Sequence, residues 1–333
     1  MRPSIFIRSW RAPRETERQL VLELNSMASL NEAERTVLDP SRASARATRY
    51  VIITPARDEE KNIEATIRSV AEQTIRPLEW VIVNDGSTDK TAEILDQYAA
   101  LYPWLRVLHL VNRGRREPGS GVMRAFEHGL RNLESKDWEF IVKLDGDLSF
   151  SPDYFERCFD EFRKDPTLAV GGGTICHNDD GVTRLETGLR FHVRGATKIY
   201  RRAFWDQSGG LILAPGWDTL DEVKANMLGW TSRSFDDITF VHRRPTGSAD
   251  GTWRNWFKNG RANYISGYHP LFMLLKCVKR VVQRPYVVMA CGLFSGFVSG
   301  YIKGVPQVQD KPLIRYVRRQ QLRRLLFQTS IWK

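Results

Sequence analysis

Cysteine is scarce in this chain of 333 residues, and none of it is paired by spacing. Cys158, Cys176, Cys277 and Cys291 form no C-x-x-C pair, which argues against a structural zinc and a disulfide framework and points to free thiols in a reducing compartment. A secretory signal is not expected either. Met1 to Trp10 interleaves charges with isolated apolar residues, so the chain is expected to stay in the cytoplasm. Long apolar runs are few, and Tyr286 to Ile302 is the stretch of note, seventeen residues without a charge. Acidic residues nearly vanish at the end of the chain. From Gly251 onward fifteen Lys and Arg stand against Asp310 alone, a net of +14, whereas residues 1–250 carry a net of −3. What is present is ordinary globular material: 42% hydrophobic and 27% charged residues exclude wholesale disorder and suit one large or two ordinary domains.

Three regions follow from composition. Residues 1–48 read as a flexible lead with a possible helix over 15–30, residues 49–248 as a catalytic α/β domain, and residues 249–333 as a basic, aromatic-rich helical region. In the middle region, apolar runs at Tyr50 to Ile53, Trp80 to Val83, Arg106 to Val111 and Phe140 to Leu144 alternate with helical patterns. Such alternation predicts a mainly parallel sheet flanked by helices, with ligands at the edge where the strands end. Further on, Pro152 to Lys164 reads as a helix with Phe155, Phe159 and Phe162 as its core stripe. Leu168 to Gly173 reads as a strand, residues 174–194 as an irregular acceptor-side loop, and Phe240 to His242 as the end of another strand.

Asp145-Gly146-Asp147 arrives just as the Phe140 strand ends. Residues two apart in extended chain point the same way, so both carboxylates can meet one ion, while Gly146 removes the side chain that would block a ligand. Hard oxygen donors suit Mg²⁺ or Mn²⁺, whose other ligands would come from water and a substrate's phosphates. Asp-Gly is also a common turn dipeptide. Arg113 and Arg115, with Arg116, sit in a Gly- and Arg-rich loop whose guanidinium groups match phosphate oxygens, so that loop is expected to close over a diphosphate.

Thr54-Pro55-Ala56-Arg57-Asp58-Glu59-Glu60-Lys61-Asn62, then Val83-Asn84-Asp85-Gly86-Ser87-Thr88-Asp89, then Asp145-Gly146-Asp147 resembles the N-terminal half of family-2 glycosyltransferases of GT-A fold. Ala56-Arg57 stands where the family usually has Tyr-Asn. The resemblance implies that Pro55, Asp58 and Glu59 border the nucleobase and ribose and that Asp85 accepts hydrogen bonds from the base. It places Asp145 and Asp147 on ribose and the diphosphate-bound metal, with Lys143 and Gly146 at the same donor site. Lys198 to Arg202 resembles the segment supporting the donor sugar, which adds Arg202. Counting back from Gly229 makes Asp218 the catalytic base, with Trp217 where relatives carry Glu, and Asp221 as the second candidate. His242 resembles the histidine that completes the metal site. The structural readings of these residues are plain too: Asp85 and Asp218 both suit helix-capping turns, and Glu59 suits a helix start.

Trp253, Trp256, Phe257, Tyr264 and Tyr268 lie among Arg254, Lys258 and Arg261, a combination suited to a lipid headgroup layer. Tyr286 to Ile302 is at the short limit for a span, so an interfacial or re-entrant helix and a buried helix pair are the competing readings, and Gly292, Gly296 and Gly300 permit close helix packing. Nucleic acid is not expected as a partner, because base stacking does not call for an uncharged segment. The whole reads as an inverting transferase using a UDP- or GDP-sugar and a lipid-linked glycan acceptor at the anionic inner face of the cell membrane. One uncharged segment does not provide the channel of a processive synthase. Two alternatives remain open at this point, transfer to a polyprenyl monophosphate and a non-catalytic sugar-nucleotide binding module.

Overall fold

Neighbouring residues in the first two strands serve opposite cores. In β1 (Tyr50–Ala56) and β2 (Glu79–Asn84), Tyr50, Ile52, Trp80 and Ile82 pack with Ile63, Ile67 and Val70 of α1 (Ile63–Ala71) and with the phenylalanines of α4 (Tyr154–Lys164). Val51, Ile53, Val81 and Val83 pack instead with Met123 and Phe126 of α3 (Ser120–Arg131). Burial on both faces is why these strands are unbroken apolar runs, each fully buried Ile or Val contributing about 1.5–3 kcal/mol. The computed structural model describes residues 48–112, 114, 120–179, 182–186, 188–244, 251–282 and 286–332. The possible helix over 15–30 and the candidates Arg113 and Arg115 lie outside them.

The remaining elements are α2 (Thr91–Leu101), β3 (Leu105–His109), β4 (Phe140–Leu144), β5 (Leu148–Phe150), β6 (Leu168–Asp179), β7 (Val182–Leu185), β8 (Thr197–Arg201), α5 (Arg202–Ser208), α6 (Trp217–Met227) and β9 (Thr231–His242). Among the described residues the strands form one sheet in the order β3-β2-β1-β4-β8-β6-β9-β5, with β7 added to β6. β3, β2, β1 and β4 run parallel, and β8 turns antiparallel beside β4. The register pairs Ala56 with Asn84 and Ile53 with Lys143, so the strands carrying the Asp58, Asp85 and Asp145 loops end at one edge. Residues 174–194, expected to be irregular, include the end of β6 and a hairpin to β7. β6 pairs with β9 on one side and with β7 on the other, and that ladder supplies what the local sequence does not.

Four helices follow, α7 (Thr252–Ile265), α8 (Pro270–Val281), α9 (Val288–Ile302) and α10 (Lys311–Leu325), in the same compact unit, which runs from Arg49 to Lys333. α7 and α9 cross at backbone contact. A Cβ on Gly260 would lie 2.0 Å from the Leu293 carbonyl oxygen, and one on Gly296 would lie 2.0 Å from that of Phe257. The glycine stripe is therefore used inside the protein. Tyr264 and Tyr268, expected among interfacial anchors, are buried in this packing, and Trp256 lies against it. None of the described helices is long and apolar enough to cross a membrane. Leu313 and Val317 of α10 share a core with Leu220 and Val223 of α6. The Tyr316 hydroxyl also donates to Asn226 Oδ1 at 2.8 Å.

Candidate active site

Backbone bonds tie the strand ends together. The Asp85 N–H donates to the Ala56 carbonyl at 2.8 Å and the Asp145 N–H to that of Ala196, also at 2.8 Å. Asp58, exposed and in the left-handed region at φ 55°, accepts from the Thr88 N–H at 2.8 Å, while its own N–H donates to Ser87 Oγ at 3.0 Å. This locks the β1 loop to the β2 loop. Gly86 lets the β2 loop close on the segment after β3: L side chains rarely adopt its φ of 68°, and a Cβ would lie 2.4 Å from Asn112 Cα. Asp85 is buried at the lock, with Arg57 Nη1 4.0 Å away, and Pro55 precedes it at the end of β1.

Asp145 and Asp147 stand where expected, and each already faces cations. Asp145 accepts from Lys143 Nζ. Asp147 has His242 Nε2 at 3.2 Å and Arg244 Nε at 3.5 Å, and its Oδ1 is buried without a hydrogen bond. Burial lifts Asp145 above the usual carboxylate range, with Asp147's charge adding to it and Lys143 opposing. For Asp147 burial is outweighed by His242, Arg244 and Lys143, which hold it below that range. Glu59 joins the cluster through Arg244, and burial and the charge of Asp147 raise its pKa. Gly146 packs against Glu59, whose Cγ would be 3.5 Å from an added Cβ. Arg244 was not singled out from sequence, although as the second residue after His242 it shares that residue's side of an extended chain. Two carboxylates and an imidazole are donor types that a divalent cation takes, and His242 Nε2 lies 3.2 Å from the buried Asp147 Oδ1. Among the described residues no three His, Cys, Asp or Glu side chains are gathered closely enough to hold a metal ion, so Asp145, Asp147 and His242 are not a ready-made site.

Beside this tip lies a pair of buried lysines. Lys143 in β4 and Lys198 in β8 are direct cross-strand partners, a like-charge pairing that is unfavourable alone. The Trp217 ring covers both, 5.5 Å from each Nζ. Lys143 is matched by Asp145 and the Gly195 carbonyl. Lys198 is matched by Asp221 at 3.0 Å and Glu222 at 2.8 Å, and its Nζ also donates to the Asp218 carbonyl. Glu222 in turn accepts from the Val193 N–H at 2.7 Å and holds His192 Nδ1 at 2.9 Å. Burial favours a neutral His192, but the charge and hydrogen bond of Glu222 outweigh it and raise its pKa.

The two base candidates diverge in this arrangement. Asp221 points inward, is held by Lys198, Tyr200 and the Glu222 N–H, and burial raises its pKa. Asp218 is half-buried, and no hydrogen bond or ion pair within the described residues engages its carboxylate. It adjoins Gly195, where an added Cβ would lie 3.6 Å from Asp218 Cβ and 3.3 Å from the Trp217 ring. Gly195 in turn binds the lysine of Asp145. Nearby, a cavity of about 80 Å³ is lined by His192, Arg194, Glu186, Ser234 and Asp236. Arg202 is a correction. Arg201 pairs with Phe140 and the Arg202 N–H with the Glu139 carbonyl, so Arg202 stands at the opposite edge of the sheet, roughly 20 Å along the strand from Asp145. There it stacks on Trp138 at 4.4 Å and pairs with Asp206 at 3.4 Å.

Residues 51–212 match the family model for glycosyl transferase family 2. The chain carries a family-2 glycosyltransferase domain. It is 36% identical over 148 residues to chondroitin synthase of Escherichia coli, covering 44% of this chain and 20% of that protein. Over 138 residues it is 30% identical to the uncharacterized glycosyltransferase EpsJ of Bacillus subtilis, covering 41% of this chain and 37% of the relative. The glycosyltransferase chain thus spans well under half the length of these relatives. A mannosyltransferase from Pyrobaculum calidifontis, solved with GDP-Man and Mn²⁺, superposes with a TM-score of 0.51 at 17% identity, over 84% of this chain and 85% of that one. At that identity the likeness speaks to the fold, which is GT-A.

Proposed function

We propose that this glycosyltransferase moves a sugar from a UDP- or GDP-sugar to a hydroxyl of a membrane-held, lipid-linked glycan, with inversion at the anomeric carbon, in polysaccharide or glycoconjugate synthesis. The observation that carries the reading is Asp218, an acid whose carboxylate has no hydrogen bond within the described residues, one glycine away from the lysine that holds Asp145. Inversion needs a carboxylate to take the acceptor's proton as its oxygen attacks, and Asp218 is a half-buried acid placed for that work. Asp85 would receive the N–H of the nucleobase, and Lys143 would keep Asp145 oriented toward the diphosphate. Asp145, Asp147 and His242 would hold Mg²⁺ or Mn²⁺, which when bound supplies positive charge to the departing diphosphate.

The test is a donor screen that measures released UDP or GDP with Mn²⁺ and Mg²⁺, repeated on Asp218→Asn. Loss of transfer by about 10²–10⁴-fold with donor affinity retained supports the base assignment. Full transfer by Asp218→Asn removes it and favours a phosphate acceptor, whose oxygen attacks without a base. Donor affinity with no nucleotide release would leave a binding module instead.

A further inference from the structure

Tyr264 and Tyr268 of the C-terminal region are buried, whereas one face of α8 is an exposed run of aliphatic side chains. α8 starts at His269-Pro270, where His269 Nδ1 caps the helix by accepting from the Leu271 N–H at 3.2 Å. Along it Met273 and Cys277 face the core of the C-terminal helices. The other side carries Leu271, Leu274, Leu275, Val278 and, just past the helix, Val282, exposed by 48%, 48%, 45%, 59% and 74%. Their spacing places them on one face. So much clustered apolar surface goes beyond the single exposed residues normal on a soluble protein. It sits in the part of the chain with fifteen cations and one acid, and Lys279 beside the face is exposed.

We propose that the outer face of α8 docks in the plane of an anionic lipid bilayer. Charge complementarity selects this occupant: apolar side chains enter the acyl boundary while exposed Lys279 and the other cations of this basic region meet anionic headgroups. With twelve residues, α8 is about 18 Å long, too short to cross the hydrocarbon core and suited to lying along it. The docking helix is fixed to the catalytic side. Ser266, four residues before α8, packs at the start of α6, where a Cβ on Gly216 would lie 2.3 Å from its Oγ, and Asp218 follows two residues later. Docking would thus carry the Asp218 side toward lipid-borne acceptors. That purpose rests on the reading of a membrane-held acceptor, whereas the docking itself is read without turnover.

The experiment floats the full chain with vesicles of phosphatidylcholine alone and with vesicles that also contain phosphatidylglycerol. The protein is compared with Leu274→Glu/Val278→Glu and with a control, Leu101→Glu, at a 53% exposed position on α2. Expected is binding to the anionic vesicles, weakened more than about tenfold in the double variant and unchanged in the control. Equal binding by wild type and double variant overturns the inference, as does wild-type protein that ignores anionic vesicles. Sedimentation showing a wild-type dimer that the double variant abolishes, with vesicle binding unchanged, assigns the face to a second copy and also overturns it. Nucleotide release from donor sugar is measured on the same samples. Its absence beside intact flotation removes the proposed transfer and leaves the docking face standing.

Discussion

Lys198 shows how a residue's role is set by partners distant in sequence. Read locally, Lys-Ile-Tyr-Arg-Arg is a basic strand end, yet Lys198 is fully buried opposite Lys143, and its partners Asp221 and Glu222 lie more than twenty residues on. Lys198→Met would leave two buried carboxylates without their cation. A loss of about 3–5 kcal/mol at neutral pH is expected in urea unfolding, partly recovered in mild acid as one carboxyl protonates. A loss below 1 kcal/mol would mean that the pair is not the counterion. His192 gives a pH-dependent counterpart. Its folded pKa is raised, so its protonated form stabilises the fold fully below the unfolded value, about 6.5, and that contribution fades as pH rises through the folded value. The melting-temperature difference between wild type and His192→Gln is expected to shrink from pH 6 to pH 9; a constant difference would show that the Glu222 contact does not depend on charge. Asp145, Asp147, Asp85 and Asp58 were legible because strand-end acids in order form a motif. Arg202 was misplaced because the same string turns from the ligand edge to the far edge within one strand.

The helices of the C-terminal region depend on what glycine omits. Gly260 on α7 and Gly296 on α9 each place a missing Cβ 2.0 Å from the other helix's backbone. Neither helix can admit a methyl without moving its neighbour. Gly296→Ala is therefore expected to cost about 1–3 kcal/mol by overpacking, although alanine is the better helix former. Thermal unfolding checks this, and a stabilised variant would show that the helices can separate freely. The Gly-x-x-x-Gly-x-x-x-Gly spacing made close packing legible, but not against which helix. The β6–β7 hairpin was illegible for a related reason. Thr174 to Asp179 lacks the apolar alternation of a half-buried strand, and neighbours on both sides hold it extended.

Across the whole molecule, the C-terminal helices complete a core shared with the glycosyltransferase domain. Leu220 and Val223, on the helix that carries Asp218, are covered by Leu313 and Val317, and Lys224 pairs with Asp310 at 3.1 Å. A chain ended at Arg244 would uncover that core, and its expected outcome is a lower melting temperature with aggregation, read by light scattering during a thermal ramp. Unchanged melting would make the helices an appendage. The four parallel strands β1 to β4 and the acids at their ends were legible in sequence alone, because apolar period, Gly punctuation and motif spacing are local quantities. Only the tertiary structure turned Asp221 inward, buried Tyr264 and Tyr268 and left one apolar face of α8 exposed. Those outcomes depend on which surfaces of distant segments exclude water from one another, and that is set once the chain has packed.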